Sequence, residues 1–138
     1  MAGTITMQKM RYINSLNQVS NVRTSRCFDY NNTIIFAVSR PFMSKAIGIG
    51  AKNIRMLQEI FGKRVRIIAE SSGNQDAERF VRDVVDPIQF KSLEEKEDGF
   101  VLTAGSQSKA SLIGRNKRRL IELSQIMNDS FGKGLRIV

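Results

Sequence analysis

Ala46-Ile47-Gly48-Ile49-Gly50-Ala51-Lys52-Asn53-Ile54 is the stretch on which the fold turns. It returns, altered, as Leu112-Ile113-Gly114-Arg115-Asn116-Lys117-Arg118-Arg119-Leu120. Each copy sets a glycine-containing turn directly before an amphipathic run with helical spacing. Glycine lets another backbone come close, and a helix start presents unpaired N–H groups that suit an anion. A phosphate-bearing ligand is therefore the first expectation.

Working outward, the same order of elements surrounds both copies. Ahead of the first, Met7, Met10, Ile13 and Leu16 recur at a helical interval, predicting a helix over 4–17 capped by Thr4 or Thr6, with its methionines in the core. Residues 22–30 and 33–39 read as strands joined at Asn31-Asn32, the second of them central and covered. Pro41 ends that strand, and a short helical turn over 43–47 leads into the glycine motif. A helix then runs from Lys52 to Phe61 with Ile54, Leu57, Ile60 and Phe61 on one side, is stopped by Gly62, and gives way to a strand over 64–69.

The turn-rich Ser71-Ser72-Gly73-Asn74 separates domains expected at 1–73 and 74–138. Asn74 is placed to cap a helix whose apolar set is Ala77, Phe80, Val81, Val84 and Val85. Strands over 88–93 and 100–104, a short helix over 107–113 and a longer one carrying Leu120, Leu123, Ile126 and Met127 inward follow. Phe131-Gly132-Lys133 closes that helix as Phe61-Gly62-Lys63 closed the earlier one, and a strand over 135–138 matches 64–68. The glycine turns are 66 residues apart and the Phe-Gly-Lys closures 70 apart, so the second long helix should gain about one turn. Both units read α-β-β-α-α-β, a tandem duplication.

The totals narrow the function. An apolar share of 41% over 138 residues supports a packed core. A net charge of +9 favours polyanionic partners, nucleic acid ahead of an anionic membrane surface. Residues 1–73 hold 11 Lys/Arg against 3 Asp/Glu, and 74–138 hold 11 against 10. Four cations of the second half nevertheless crowd into one turn, as Arg115, Lys117, Arg118 and Arg119, while Glu94, Glu95, Glu97 and Asp98 sit apart. Exposed cations at a helix start oppose the macrodipole by about 0.3–1 kcal/mol each. Their placement points to a bound anion, with a merely solvated face as the alternative.

There is no histidine, and the single Cys27 excludes an internal disulfide and a multi-cysteine metal site. No catalytic residue, metal site or cofactor is expected. Cys27 reads as a small buried filler, and Arg64 and Arg66 as guards of a strand edge. With no bilayer-length apolar run and no signal-like opening, a cytoplasmic protein without a membrane partner is expected.

A helix–turn–helix with Ile-Gly-x-x-Gly beside a three-stranded sheet resembles the KH domain, and the element order resembles its type II form. Two such units resemble the short archaeal form of the NusA transcription factors. The resemblance runs through 6–13, Cys27, 35–38, 45–54, 61–68 and 77–81. It implies an α+β fold of two tandem type II KH domains, each a three-stranded sheet with helices on one face. It also implies a non-enzymatic RNA-binding protein acting in transcription elongation, termination or antitermination. The residues implied to contact RNA are Lys45, Ile47, Gly48, Ile49, Gly50, Ala51, Lys52 and Arg55, then Ile113, Gly114, Arg115, Asn116, Lys117, Arg118 and Arg119. Ile35, Ala37, Ile47 and Ile54 would line a base groove, with core packing as the alternative for them.

The partner implied is single-stranded RNA, as nascent transcript or rRNA, alongside RNA polymerase or the ribosome. Bacterial relatives carry a polymerase-binding region and an S1 domain not seen in these residues, so their docking to polymerase does not carry over. The chain departs from the family at three places. Ala51 and Lys117 replace a second glycine, and Ile49 stands where a basic residue is usual. Alanine suits a helix start, whereas Lys117 obstructs close approach yet can reach a phosphate from further out. A ribosome-associated KH protein, or a KH pair used for protein interaction, are the competing expectations.

Overall fold

Thr6 opens the first helix: its Oγ1 accepts the N–H of Lys9 at 3.1 Å, satisfying one of the orphan donors of the first turn. The computed structural model describes residues 6–138, so the Thr4 cap and the first residues of the expected helix lie outside the described residues. Helix α1 spans Met7–Ser20 and ends where Asn21 turns left-handed, with its N–H on the carbonyl of Asn17. Its buried stripe is Tyr12, Leu16 and Ser20, with Ile13 and Val19 beside it. Met7 and Met10 are exposed, correcting the expectation that both are core. A spacing of three advances 300° per step, so a Met7-Met10-Ile13 series drifts around the helix, and the i, i+4 pair Tyr12–Leu16 sets the inward face.

Strands β1 (Arg26–Tyr30) and β2 (Thr33–Val38) pair antiparallel through Asn31 and Asn32, whose φ values of 52° and 57° supply the two left-handed residues of a tight hairpin. The first strand begins at Arg26 rather than at 22, because Thr24 folds back: its Oγ1 donates to the carbonyl of Ala37 and accepts the N–H of Arg26. All six residues of β2 are buried, with Ile34, Phe36 and Val38 on the core face. Helix α2 (Met43–Ile47) and helix α3 (Lys52–Phe61) follow, then β3 (Arg64–Ala69), parallel to β2. Of the stripe expected on α3, Leu57 is fully buried, Ile54 and Phe61 pack half-buried on the core, and Ile60 lies outside it, half exposed.

The second unit repeats the plan. Helix α4 (Ala77–Val85) buries its whole expected apolar set. Asn74 does not cap it; the residues 74–76 form a 3-10 turn, and the Asn74 amide donates to Glu95 at 2.6 Å instead. Strand β4 is Ser92–Lys96, shifted from the expected 88–93. The Arg82 guanidinium explains the shift, since it donates to the carbonyl of Phe90 at 3.1 Å and lies 4.1 Å from the centroid of that ring. Residues 88–91 are thereby tied to α4, and Glu78 takes the N–H of Leu93 where the ladder starts. Strand β5 (Gly99–Thr103), helix α5 (Ser106–Ile113), helix α6 (Arg118–Phe131) and strand β6 (Leu135–Ile137) complete it.

The chain is thus α+β, two three-stranded sheets ordered β1-β2-β3 and β4-β5-β6, in two compact units divided between Glu70 and Ser71. Helix α6 has 14 residues against 10 in α3, the extra turn the spacing predicts. Other details repeat as well. Phe61 packs edge-on against Tyr12 at 4.7 Å, and Phe131 against Phe80 at 5.6 Å. Gln58 accepts the N–H of Val65 as β3 begins, and Ser124 that of Leu135 as β6 begins.

Candidate nucleic-acid interface

Both turns have nearly the same backbone. Gly48 lies at φ 81°, ψ 163°, and Gly50 and Ala51 follow in the left-handed region at φ 61°. In the second copy Gly114 lies at φ 75°, ψ 174°, and Asn116 and Lys117 follow at φ 56° and 60°. The first glycine of each turn is required twice over. Its φ is positive, and a Cβ on Gly48 would stand 2.9 Å from Asn53 Cγ and 3.0 Å from the Asn53 nitrogen. A Cβ on Gly114 would stand 2.6 Å from Arg119 Cγ and 3.1 Å from the Arg119 nitrogen. The turn therefore closes onto the first turn of the following helix, which leaves no room for a side chain.

Ala51 does not occupy an ordinary helix-start conformation, as the sequence suggested; it sits left-handed, like Lys117. That conformation costs a non-glycine residue about 1–2 kcal/mol, which is why a glycine is expected there. Both turns keep the shape without it. Internal hydrogen bonds hold them: Gly48 N–H to Ser44 O at 2.9 Å and Ala51 N–H to Gly48 O at 3.1 Å, matched by Gly114 N–H to Ala110 O at 3.0 Å and Lys117 N–H to Gly114 O at 3.2 Å. The N–H groups of Lys52 and Arg118 likewise return to the carbonyls of Ile49 and Arg115. With these donors turned inward, more of any contact with an anion falls to the side chains.

The side chains differ between the copies. Around the first turn Lys45, Ile49, Gly50, Lys52 and Arg55 are exposed, and Ile47, Gly48 and Ala51 are half-buried. Arg55 Nη1 donates to the carbonyl of Gly50, which fixes a guanidinium against the turn, and Asn53 Nδ2 donates to the carbonyl of Lys45 at 3.0 Å. Around the second turn Arg115, Asn116, Lys117 and Arg118 are exposed, and Ile113, Gly114 and Arg119 are half-buried. Arg119 forms an ion pair with Glu122, so it braces α6 where the other three cations face water. Arg115, Asn116, Arg118, Arg119 and Ile121 line an open hollow of about 370 Å³.

Ile35 and Ala37 are buried in β2 and lie out of reach of a ligand, whereas Ile47 and Ile54 pack half-buried on the core. Sequence reasoning missed Asn53, whose tie to Lys45 spans eight residues without a local signal, and Ile121 in the hollow. Glu122 stands at helical spacing from both Arg118 and Arg119, and the structure pairs it with Arg119. Cys27 is buried, and that desolvation, with smaller help from Asp29, pushes its thiol up to about 12, as suits a packing residue. Among the described residues no three His, Cys, Asp or Glu side chains gather to hold a metal, and no helix is long and apolar enough to cross a membrane.

Two units of α-β-β-α-α-β order, each with a glycine turn between paired helices beside a three-stranded sheet, define a tandem KH-type fold. In sequence the chain is 30% identical over 95 residues to the probable transcription termination protein NusA of Methanocaldococcus jannaschii. That match covers 69% of this chain and 50% of the relative, so the chain spans about half the length of the curated protein it resembles. Among solved structures, the crystal structure of APE1850 is similar with a TM-score of 0.68 at 26% identity, covering 97% of this chain and 100% of that one. No protein-family model matches the chain. The likeness is thus to NusA-like proteins on a KH-type fold.

Proposed function

We propose that this protein binds single-stranded RNA through its two glycine turns, in a NusA-like role in transcription elongation, termination or antitermination, and performs no chemistry of its own. One observation carries the reading: the same closed turn is built twice, and each copy stands exposed among cations, Lys45, Lys52 and Arg55 at one and Arg115, Lys117 and Arg118 at the other. Apart from Lys45, which lies in the last turn of α2, these cations stand at the start of α3 or α6 against the helix dipole, which suits phosphate. The likeness to a NusA protein supports the same conclusion. The left-handed angles kept at Ala51 and Lys117 count against a turn reshaped for protein contact.

Titration with a single-stranded RNA oligonucleotide at several salt concentrations tests it. Each phosphate neutralised adds about 0.7 to the slope of log affinity against log salt. Arg115→Glu combined with Lys117→Glu is expected to weaken binding roughly ten- to a hundredfold and to lower that slope by roughly 1 to 1.5. An unchanged affinity and slope would remove the second turn from the site. Crosslinking in cells then separates nascent transcript from rRNA as the natural target, and copurification tests RNA polymerase and the ribosome as partners.

A further inference from the structure

Ile49 is 95% exposed, more than any other large apolar side chain among the described residues. Scattered surface isoleucines are ordinary. This one is held between Gly48 and Gly50 at the tip of a turn whose backbone is fastened by hydrogen bonds on both sides. The fold makes no use of it, since its side chain packs on nothing that a smaller residue would vacate. At the matching position of the second turn stands Arg115, also exposed. One backbone shape thus presents an apolar tip in one unit and a guanidinium in the other.

The occupant follows from what surrounds the tip. Lys45 and Lys52 are exposed beside it in the chain, and Arg55 is anchored on the carbonyl of Gly50. The half of the chain that carries this turn holds 11 basic and 3 acidic residues. An apolar tip flanked in the chain by cations is best matched by a ligand that offers a weakly polar face joined to negative charge. A nucleotide does so, with its base on the isoleucine and its phosphates on the cations. An apolar peptide would lack the charge, and a basic one would be repelled.

We propose that the two turns contact RNA by different chemistry: the first presses Ile49 against a base, and the second holds backbone phosphate through Arg115, Lys117 and Arg118. This rests on the RNA-binding reading and assigns each turn its part. The first turn then contributes salt-insensitive affinity and the second contributes salt-sensitive affinity.

The test is fluorescence anisotropy of the full chain with a mixed-sequence single-stranded RNA, and with the same strand made abasic at its central positions. Ile49→Ser is expected to lower affinity about five- to tenfold with the salt slope unchanged. The abasic strand should bind the parent more weakly, and the penalty should shrink in Ile49→Ser. Ile49→Arg, which copies the second turn, should steepen the slope by about 0.7. Ile49 is exposed and unpacked, so both variants should keep the parent's thermal unfolding. If Ile49→Ser binds within twofold of the parent while Arg115→Glu with Lys117→Glu binds weakly, the base contact is overturned and RNA binding stands; a tip kept for a protein partner gives that result. If the parent binds no RNA, both readings fall together.

Discussion

The turn at Gly48 and the turn at Gly114 have one backbone and two chemistries. Glycine at positive φ, two left-handed residues and the same pair of internal hydrogen bonds recur in each. What differs is the tip, Ile49-Gly50-Ala51 against Arg115-Asn116-Lys117, and the bracing, Arg55 on a carbonyl against Arg119 on Glu122. Both copies share what the helix junction needs and differ in what faces the solvent. Shape and chemistry can diverge this way because φ, ψ and the approach of Asn53 or Arg119 constrain only the first glycine and the left-handed pair.

The heaviest blow to this comparison comes at the glycines. Gly48→Val and Gly114→Val should each destabilise the protein by about 2–4 kcal/mol in urea unfolding, from positive φ together with a Cβ clash. Costs that differ by more than about 1 kcal/mol would break the claim of shared geometry; the flexible Arg119 side chain makes Gly114 the place to look. A milder test sharpens it. Ala51→Gly and Lys117→Gly relieve a left-handed residue but loosen the unfolded chain, for a net gain of about 0.5–1 kcal/mol each in the same measurement. A loss at either site would mean that its turn is not strained as its angles indicate.

The smallest effect separates the units by pH. Hydrogen bonds from Asn74 and then from Lys133 hold the Glu95 carboxyl below its usual range. A depressed carboxylate stabilises the fold above its unfolded value, and that contribution is lost as the pH falls through the lower folded value. Glu95→Gln should therefore lower the neutral plateau slightly, leave stability at strongly acid pH nearly unchanged, and so flatten the acid limb between them. Acid unfolding followed by circular dichroism checks it, and an unaltered acid limb would show the carboxylate to be free in solution.

Much of the plan was readable before any coordinates. The two Phe-Gly-Lys closures, the four-residue difference in helix length and the five apolar residues of α4 all follow from spacing, because left-handed caps and helical periodicity are local properties. The candidate site was legible as a list of residues and not as an arrangement. Nothing local separates Arg119, tied to Glu122, from the exposed Arg118 beside it, whereas the unbroken apolar run of β2 already marked Ile35 and Ala37 as covered.

By itself, then, the sequence determined the order of elements, the duplicated glycine turns and the position of the positive charge. Each of these depends on φ/ψ sterics, periodicity or composition within a few residues. Tertiary structure decided the rest: that Met7 and Met10 face water, that β4 starts at Ser92 because Arg82 holds Phe90, and that Ile49 is left without a neighbour. Burial and pairing depend on partners far along the chain, and only the folded molecule brings those partners together.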